Sequence, residues 1–186
     1  MVSSKQVVKT VLLLTGKPGT GKTALIKEVL SKAKVKAGGF YTEEIRIGGV
    51  RQGFRIVTLG GDEAILAHVS ISSPYRVSKY KVDIATLDRI GVFALRQALK
   101  ESDLIVIDEI GKMELLSSQF KEVVSQVVDS GKKVLGTIML VPHPFANEIK
   151  SHPRVRTLTV TRENHNKVLE DILDWLTASV ESNPSP

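Results

Sequence analysis

The sequence predicts an α/β fold: a mostly parallel sheet flanked by helices and extended at one edge by an antiparallel β-meander. Short continuous apolar runs, such as residues 11–14 and 104–107, alternate with longer segments of helical periodicity. This alternation is typical of parallel strands that are buried on both faces. Residues 40–69 instead carry glycine pairs between short runs, which favours antiparallel hairpins. With 186 residues, of which 42% are hydrophobic, the chain is expected to form one domain over 1–186.

The predicted elements follow in order along the chain. A strand at 11–14 and a glycine loop precede a helix whose apolar residues recur at helical spacing. The meander then turns at Gly48-Gly49 and Gly60-Gly61, and a polar loop at 70–83 follows it. The remaining elements are a helix from 84 to about 100, a strand at 104–107, a helix from Ser117 or Ser118 to 130, a strand at 134–139, a short helix after Pro144, a strand at 155–160 and a last helix at about 162–178.

Composition limits the classes of protein to consider. The chain has no cysteine, which excludes disulfides and thiolate metal sites. No apolar run approaches the roughly 18 residues of a membrane span, and the first ten residues lack a signal-peptide core. The formal net charge of +6 permits a nucleic-acid partner, but Lys and Arg are scattered rather than clustered. We therefore expect a cytoplasmic monomer without a membrane partner, with flexible ends at 1–9 and 180–186.

A glycine loop follows the first strand and opens the first helix. It matches the pattern G-x-x-x-x-G-K-[ST] with Gly16, Lys17, Pro18, Gly19, Thr20, Gly21, Lys22 and Thr23. Glycines let successive backbone N–H groups converge on phosphate oxygens, and the helix N-terminus adds partial positive charge there. Lys22 is expected to reach the β- and γ-phosphates and to act in catalysis, and the Thr23 hydroxyl is expected to ligate Mg²⁺. The sequence thus predicts a P-loop that binds a nucleoside triphosphate with magnesium.

An acidic pair ends the second buried strand. The apolar residues Leu104, Ile105, Val106 and Ile107 are followed by Asp108 and Glu109. A rigid strand would place this pair at the carboxyl edge of the sheet, beside the glycine loop, where open α/β sheets bind ligands. Asp108 is expected to hold Mg²⁺, and Glu109 is expected to polarise the attacking water as a general base.

Longer segments resemble the family of small cancer-related and thermophile nucleoside-triphosphatases. They are GFYTEEIR at 39–46, GFRIVTL at 53–59, RVSKYKVD at 76–83, DEIGKMEL at 108–115, GTI at 136–138 and VTREN at 160–164. The resemblance covers roughly residues 10–175. It implies a P-loop core of the RecA-like type and slow, Mg²⁺-dependent hydrolysis of ATP, GTP, CTP and UTP with little base preference.

The same resemblance implies a set of nucleotide-binding residues, namely the loop Gly16 to Thr23 together with Leu104, Ile105, Val106, Ile107, Asp108, Glu109, Ile110 and Gly111. Two positions depart from the family pattern. Ser78 stands where glycine is expected, which would stiffen its loop, and His165 stands where arginine is frequent. If that arginine touches nucleotide in relatives, the contact is weakened here.

Other charged residues admit two interpretations each. Glu43 or Glu44 either faces the phosphates or ends a solvated strand. The loop with Arg76 and Lys79 is either a lid that closes over the triphosphate or a plain surface loop. Lys112 follows the acidic pair closely enough to reach phosphate or product.

Two other functions remain open from the sequence. A small-molecule or nucleotide kinase would use the same P-loop, with the 70–83 loop closing over an acceptor, although the Asp108-Glu109 pair suits the activation of water. A nucleotide-gated module that binds RNA or protein is permitted by the basic charge. However, aromatic residues are only 5% of the chain and no RNA-recognition signature occurs.

Overall fold

The computed structural model describes residues 7–178, whose strands form one nine-stranded sheet. In sequence order the strands are β1 (Val11–Thr15), β2 (Ala37–Ile47), β3 (Val50–Thr58), β4 (Glu63–His68), β5 (Arg76–Val77), β6 (Tyr80–Val82), β7 (Leu104–Ile110), β8 (Lys133–Ile138) and β9 (Val155–Thr159). Across the sheet they run β5-β6-β4-β3-β2-β7-β8-β1-β9. Strands β2, β7, β8, β1 and β9 are parallel neighbours, and the other strands pair antiparallel.

The helices cover both faces of the parallel half. They are α1 (Lys22–Lys32), α2 (Ile84–Thr86), α3 (Phe93–Glu101), α4 (Ser118–Asp129), α5 (Pro144–Ser151) and α6 (His165–Thr177). A π-helical segment, Leu87–Val92, joins α2 to α3. Leu12 and Leu14 of β1 face the apolar cluster that contains α1 and α6, whereas Leu13 faces the cluster that contains α3, α4 and α5. Burial on both faces explains the unbroken apolar runs, and the predicted α/β fold class is confirmed.

The antiparallel half begins within β2. This strand pairs with β7 only from Ala37 to Tyr41, and it then continues to Ile47 paired with β3 alone. The β2–β3 hairpin therefore extends beyond the carboxyl edge of the parallel strands. The predicted meander is confirmed, and its overhang forms one wall of the site described below.

Three local predictions need correction. The segment 70–83 was expected to be a loop, but it contains the β5–β6 hairpin, because Tyr80 and Val82 are buried and pair with the sheet. Ser78 turns this hairpin with a φ of 55°, a value that favours glycine. Strand β7 continues beyond residue 107 to Ile110, and the last helix begins at His165 rather than near 162.

Residues 161–164 stay outside the last helix because side chains bond the backbone there. Asn164 Oδ1 accepts from the Thr161 N–H at 2.8 Å, and Asn164 Nδ2 donates to the Thr159 carbonyl at 2.8 Å. Such local bonds compete with helical pairing. The Ser117 cap is confirmed, since its hydroxyl accepts from the Phe120 N–H at 3.0 Å.

Within the described residues, no helix combines the length and the apolar character that a membrane crossing needs. The predicted flexible end at 180–186, and most of the one at 1–9, lie outside the residues that the structure describes.

Candidate nucleotide site

The glycine loop connects the carboxyl end of β1 to the first turn of α1. Gly21, just before the helix, has a φ of 82°, and this conformation points the start of α1 at the loop. The Lys22 ammonium lies over the loop, where it donates to the carbonyls of Gly16 at 3.0 Å and Lys17 at 3.1 Å. The loop thus presents one cation and the N-terminal amides of a helix to the same space, which is the arrangement that binds phosphate.

Asp108 lies in β7, between β2 and β8. It is only 1% exposed, and its Oδ1 accepts a hydrogen bond from the Thr137 hydroxyl of β8 at 2.5 Å. Burial raises the pKa of the Asp108 carboxyl, while the nearby hydroxyls of Thr137 and Thr23 oppose that rise. Among the described residues its Oδ2 is buried without a hydrogen-bond partner. A buried carboxylate oxygen without a partner, close to the Thr23 hydroxyl, fits the hard oxygen ligands that Mg²⁺ prefers.

Glu109 is partly buried and folds back over Gly111. A Cβ at Gly111 would come within 2.4 Å of Glu109 Oε1, so only glycine leaves room for the carboxylate in this position. Burial raises the pKa of Glu109, the neighbouring charge of Asp108 raises it further, and Lys22 opposes both. A carboxylate whose pKa is raised toward neutrality is a stronger proton acceptor than an ordinary one.

A cavity of about 640 Å³ brings the loop and the acidic strand end together. The predicted site residues that line it are Gly16, Pro18, Gly19, Gly21, Lys22, Thr23 and Glu109. Those that do not line it are Lys17, Thr20, Leu104, Ile105, Val106, Ile107, Asp108, Ile110 and Gly111. Residues 104–107 are fully buried core side chains, and they serve to hold the strand end in place.

The second acidic pair, Glu43 and Glu44, also lines the cavity but is held in ion pairs. Glu43 contacts Lys27 and accepts from Arg55 at 2.6 Å, and these two cations lower its pKa. For Glu44, burial acts to raise the pKa, but hydrogen bonds from Arg51 and Arg46 outweigh burial and lower it.

Several cavity residues were not anticipated. Glu114 follows β7 in a short 3₁₀ turn and is 5% exposed, and burial together with the charge of Glu109 raises its pKa to about 8. Arg51 lines the cavity from β3. Neither role could be read from the sequence, because each depends on neighbours that the fold brings from elsewhere.

The structure also gives the positions of Lys112, Arg76 and Lys79, whose roles the sequence leaves open. Lys112 lines the cavity, whereas Arg76 and Lys79 do not. Arg76 Nε donates to the Ser78 carbonyl of its own hairpin at 2.5 Å, and only Val77 of this hairpin reaches the cavity wall. His165 lies against the glycine loop, with Nε2 3.2 Å from the Gly21 carbonyl oxygen.

Known proteins are similar to this chain in sequence and in architecture. A family model described as NTPase matches residues 11–173. The chain is 51% identical to nucleoside-triphosphatase THEP1 of Thermotoga sp. (strain RQ2), over 89% of this chain and 94% of that protein. It is 40% identical to the cancer-related nucleoside-triphosphatase of Homo sapiens, over 90% of this chain and 97% of that protein.

Two solved structures are similar over nearly their whole lengths. The crystal structure of THEP1 from Aquifex aeolicus superposes with a TM-score of 0.83 at 36% identity, covering 90% of this chain and 99% of the other. The solution structure of the human cancer-related nucleoside triphosphatase superposes with a TM-score of 0.78 at 39% identity, covering 94% and 100%. The P-loop, the buried acidic strand end and these matches together establish that the chain belongs to the NTPase family.

Proposed function

We propose that this protein is a Mg²⁺-dependent nucleoside-triphosphate phosphohydrolase that discriminates little between bases. As a member of the NTPase family it is a hydrolase that acts on nucleoside triphosphates. The observation that carries the finer proposal is the shared cavity: Lys22 and Glu109 line it, and Asp108 is buried at the same strand end with one oxygen unpaired.

Substrate binding is assigned to the glycine loop. The loop amides and the N-terminus of α1 would hold the phosphate oxygens, and Lys22 would exchange its two loop carbonyls for the β- and γ-phosphates. Thr23 and Asp108 would hold Mg²⁺, which neutralises charge on the phosphates. Thr137 keeps Asp108 oriented by donating to its other oxygen.

The chemical step is assigned to Glu109. Its carboxylate would orient a water molecule and accept a proton as the water oxygen bonds to the γ-phosphorus. The bond from the γ-phosphorus to the β–γ bridging oxygen breaks, and the nucleoside diphosphate leaves with that electron pair. Lys22 would stabilise the negative charge that develops on the leaving oxygen.

Low base specificity is part of the same proposal. The sequence carries no base-reading motif. A site built to hydrogen-bond one base would reject the others by large factors. We also propose that residues 1–186 form a single domain, because the glycine loop and the acidic strand end belong to one continuous sheet, and that this domain works as a monomer.

Phosphate release from ATP, GTP, CTP and UTP tests the proposal. We expect hydrolysis of all four, with values of kcat/KM within about tenfold of one another. Removing Mg²⁺ with a chelator should abolish the activity, and its return should restore it. Hydrolysis that persists without divalent cations, or that is confined to one base, would contradict the proposal.

Lys22→Ala tests the role of the loop. The loss of a charge-assisted contact should weaken triphosphate binding in calorimetry about tenfold or more. Lys32→Ala is the matched control, since it removes the same charge at the far end of α1, where Lys32 pairs with Glu28. Equal affinities of the two variants would remove Lys22 from the binding site.

A further inference from the structure

The wall of the cavity that faces the glycine loop is built from the antiparallel half of the sheet. It contains Thr42 and Glu44 from β2 and Arg51 and Phe54 from β3. These residues belong to the part of the hairpin that extends beyond Tyr41, which pairs with Asp108. The wall therefore stands next to the strand end that carries Glu109, and it presents an arginine to the cavity that Lys22 and Glu109 also line.

Arg51 is fixed in place by its surroundings. Its Nε donates to the Tyr80 hydroxyl at 2.9 Å, and its Nη1 donates to Glu44 Oε1 at 2.7 Å. The guanidinium carbon also lies 5.2 Å from the centre of the Phe54 ring and 5.7 Å from that of Tyr80. Within residues 7–178, no hydrogen bond engages its Nη2. A guanidinium held at one edge with donors to spare is pre-organised for a phosphoryl oxygen.

The positive charge of Arg51 is not fully neutralised by its ion pair with Glu44. Glu44 is shared between Arg51 and Arg46, and the Arg46 Nη2 lies 2.6 Å from Glu44 Oε2. The two cations and one anion leave a net charge of +1 on this part of the wall. Only Arg51 and Glu44 of this group line the cavity, whereas Arg46 turns back to the hairpin tip and donates to the Gly49 carbonyl at 2.7 Å.

We propose that Arg51 is a catalytic residue that stabilises the negative charge on the transferred phosphoryl group, and that Glu44 and Tyr80 position it. Such an arginine acts on the transition state more than on the bound substrate, so it raises kcat rather than affinity. The inference rests on the proposed hydrolysis of triphosphates at this site. It assigns to the meander a direct part in the reaction, in addition to shaping the cavity.

The test compares Arg51→Ala with Arg46→Ala. Both variants remove one arginine that pairs with Glu44, but only the first removes a cation from the cavity. We expect kcat of Arg51→Ala to fall about 100-fold, with KM changed far less. The Arg46→Ala variant should stay within about twofold of the parent, as ordinary surface substitutions do. Hydrolysis by the parent and by Arg46→Ala reports on the proposed function independently of Arg51.

Chemical rescue separates catalysis from structure. Arg51→Ala leaves a guanidinium-sized space that is open to solvent, because the Arg51 side chain is 39% exposed. Guanidinium at millimolar, non-denaturing concentration should raise kcat of Arg51→Ala in a saturable manner and leave Arg46→Ala and the parent unaffected. Arg51→Lys should recover only a small part of kcat, since an ammonium lacks the fork.

Two results would overturn the proposal. One is an unchanged kcat in Arg51→Ala. If kcat fell strongly in Lys112→Ala at the same time, Lys112 would be the residue that stabilises the charge on the phosphoryl group. The other is a loss of kcat in Arg51→Ala that guanidinium does not restore, which would make the contribution of Arg51 structural.

Discussion

Two acidic pairs lie at the same cavity, which Glu109, Glu43 and Glu44 line and Asp108 does not, and the two pairs differ in their electrostatics. Asp108-Glu109 lies near the carboxyl end of the parallel strand β7, where burial raises the pKa of both carboxyls. Glu43-Glu44 lies on the antiparallel overhang, where arginine and lysine side chains lower the pKa of both. Carboxylates stabilised by cations are weak bases, whereas buried carboxylates that lack such partners bind protons and metals more strongly. The first pair is therefore suited to bind the metal and accept a proton, whereas the ion pairs of the second hold the cavity wall together.

The largest effect is expected from Glu114, which shares the environment of the first pair. Its folded-state pKa is about 8, against 4.5 as the ordinary value. The unfolded chain thus releases this proton at lower pH than the folded protein does, so stability falls as pH rises between these values. Glu114 should contribute a slope of about 1.4 kcal/mol per pH unit to the free energy of unfolding.

Glu114→Gln removes that titration without changing the size of the side chain. Urea unfolding of the parent and the variant between pH 5 and pH 8 should show the variant gaining relative stability with rising pH. If the difference between the two proteins stayed constant across this range, Glu114 would not be the buried neutral acid that its surroundings imply.

A smaller effect is expected from Gly111→Ala, which displaces the Glu109 carboxylate. The added Cβ would lie 2.4 Å from Oε1, and the flexible side chain would move away to relieve the contact. Misplacement of a catalytic group by about 1 Å can cost about 100-fold in rate, so kcat should fall by that order while triphosphate binding persists. Gly60→Ala is the control, because its nearest neighbour would be 3.7 Å away. Equal rates for the two variants would place the working position of Glu109 elsewhere.

The smallest effect is expected from Glu43→Gln. The folded-state pKa of Glu43 is lowered, so its contribution to stability is present above the ordinary pKa and lost as pH falls through the folded value. The partly exposed ion pair with Lys27 is worth about 0.2–1 kcal/mol, and the pair with the exposed Arg55 adds to it. Calorimetric unfolding should show the variant slightly less stable at pH 7 and equal to the parent in strong acid. If the variant and the parent were equally stable at both pH values, the ion pairs of Glu43 would not contribute to stability.

The first acidic pair could be predicted from the sequence better than the second. The reason is how far apart in the sequence the interacting residues lie. The glycine loop and the Asp108-Glu109 strand end could be located from sequence because each depends on a local pattern of strand, loop and helix. The surroundings that set their properties are distant in the sequence: Thr137 reaches Asp108 from the neighbouring strand β8, and Tyr80 reaches Arg51 from the β5–β6 hairpin. Glu43 and Glu44 also depend on partners that only the fold brings near, so their role cannot be decided from the sequence. The pairing of residues 70–83 with the sheet depends on the fold in the same way, and the sequence alone therefore predicts a loop there.

The central claim is that Glu109, and not the ion-paired Glu43, receives the proton of the attacking water. Glu109→Gln and Glu43→Gln make the same chemical change on two neighbouring strands that line one cavity, so single-turnover hydrolysis of ATP with Mg²⁺ compares them directly. We predict that Glu109→Gln binds ATP as the parent does but hydrolyses it about 10²–10⁴-fold more slowly, while Glu43→Gln keeps the parental rate. Parental hydrolysis by Glu109→Gln, or a large loss in Glu43→Gln, would contradict the account.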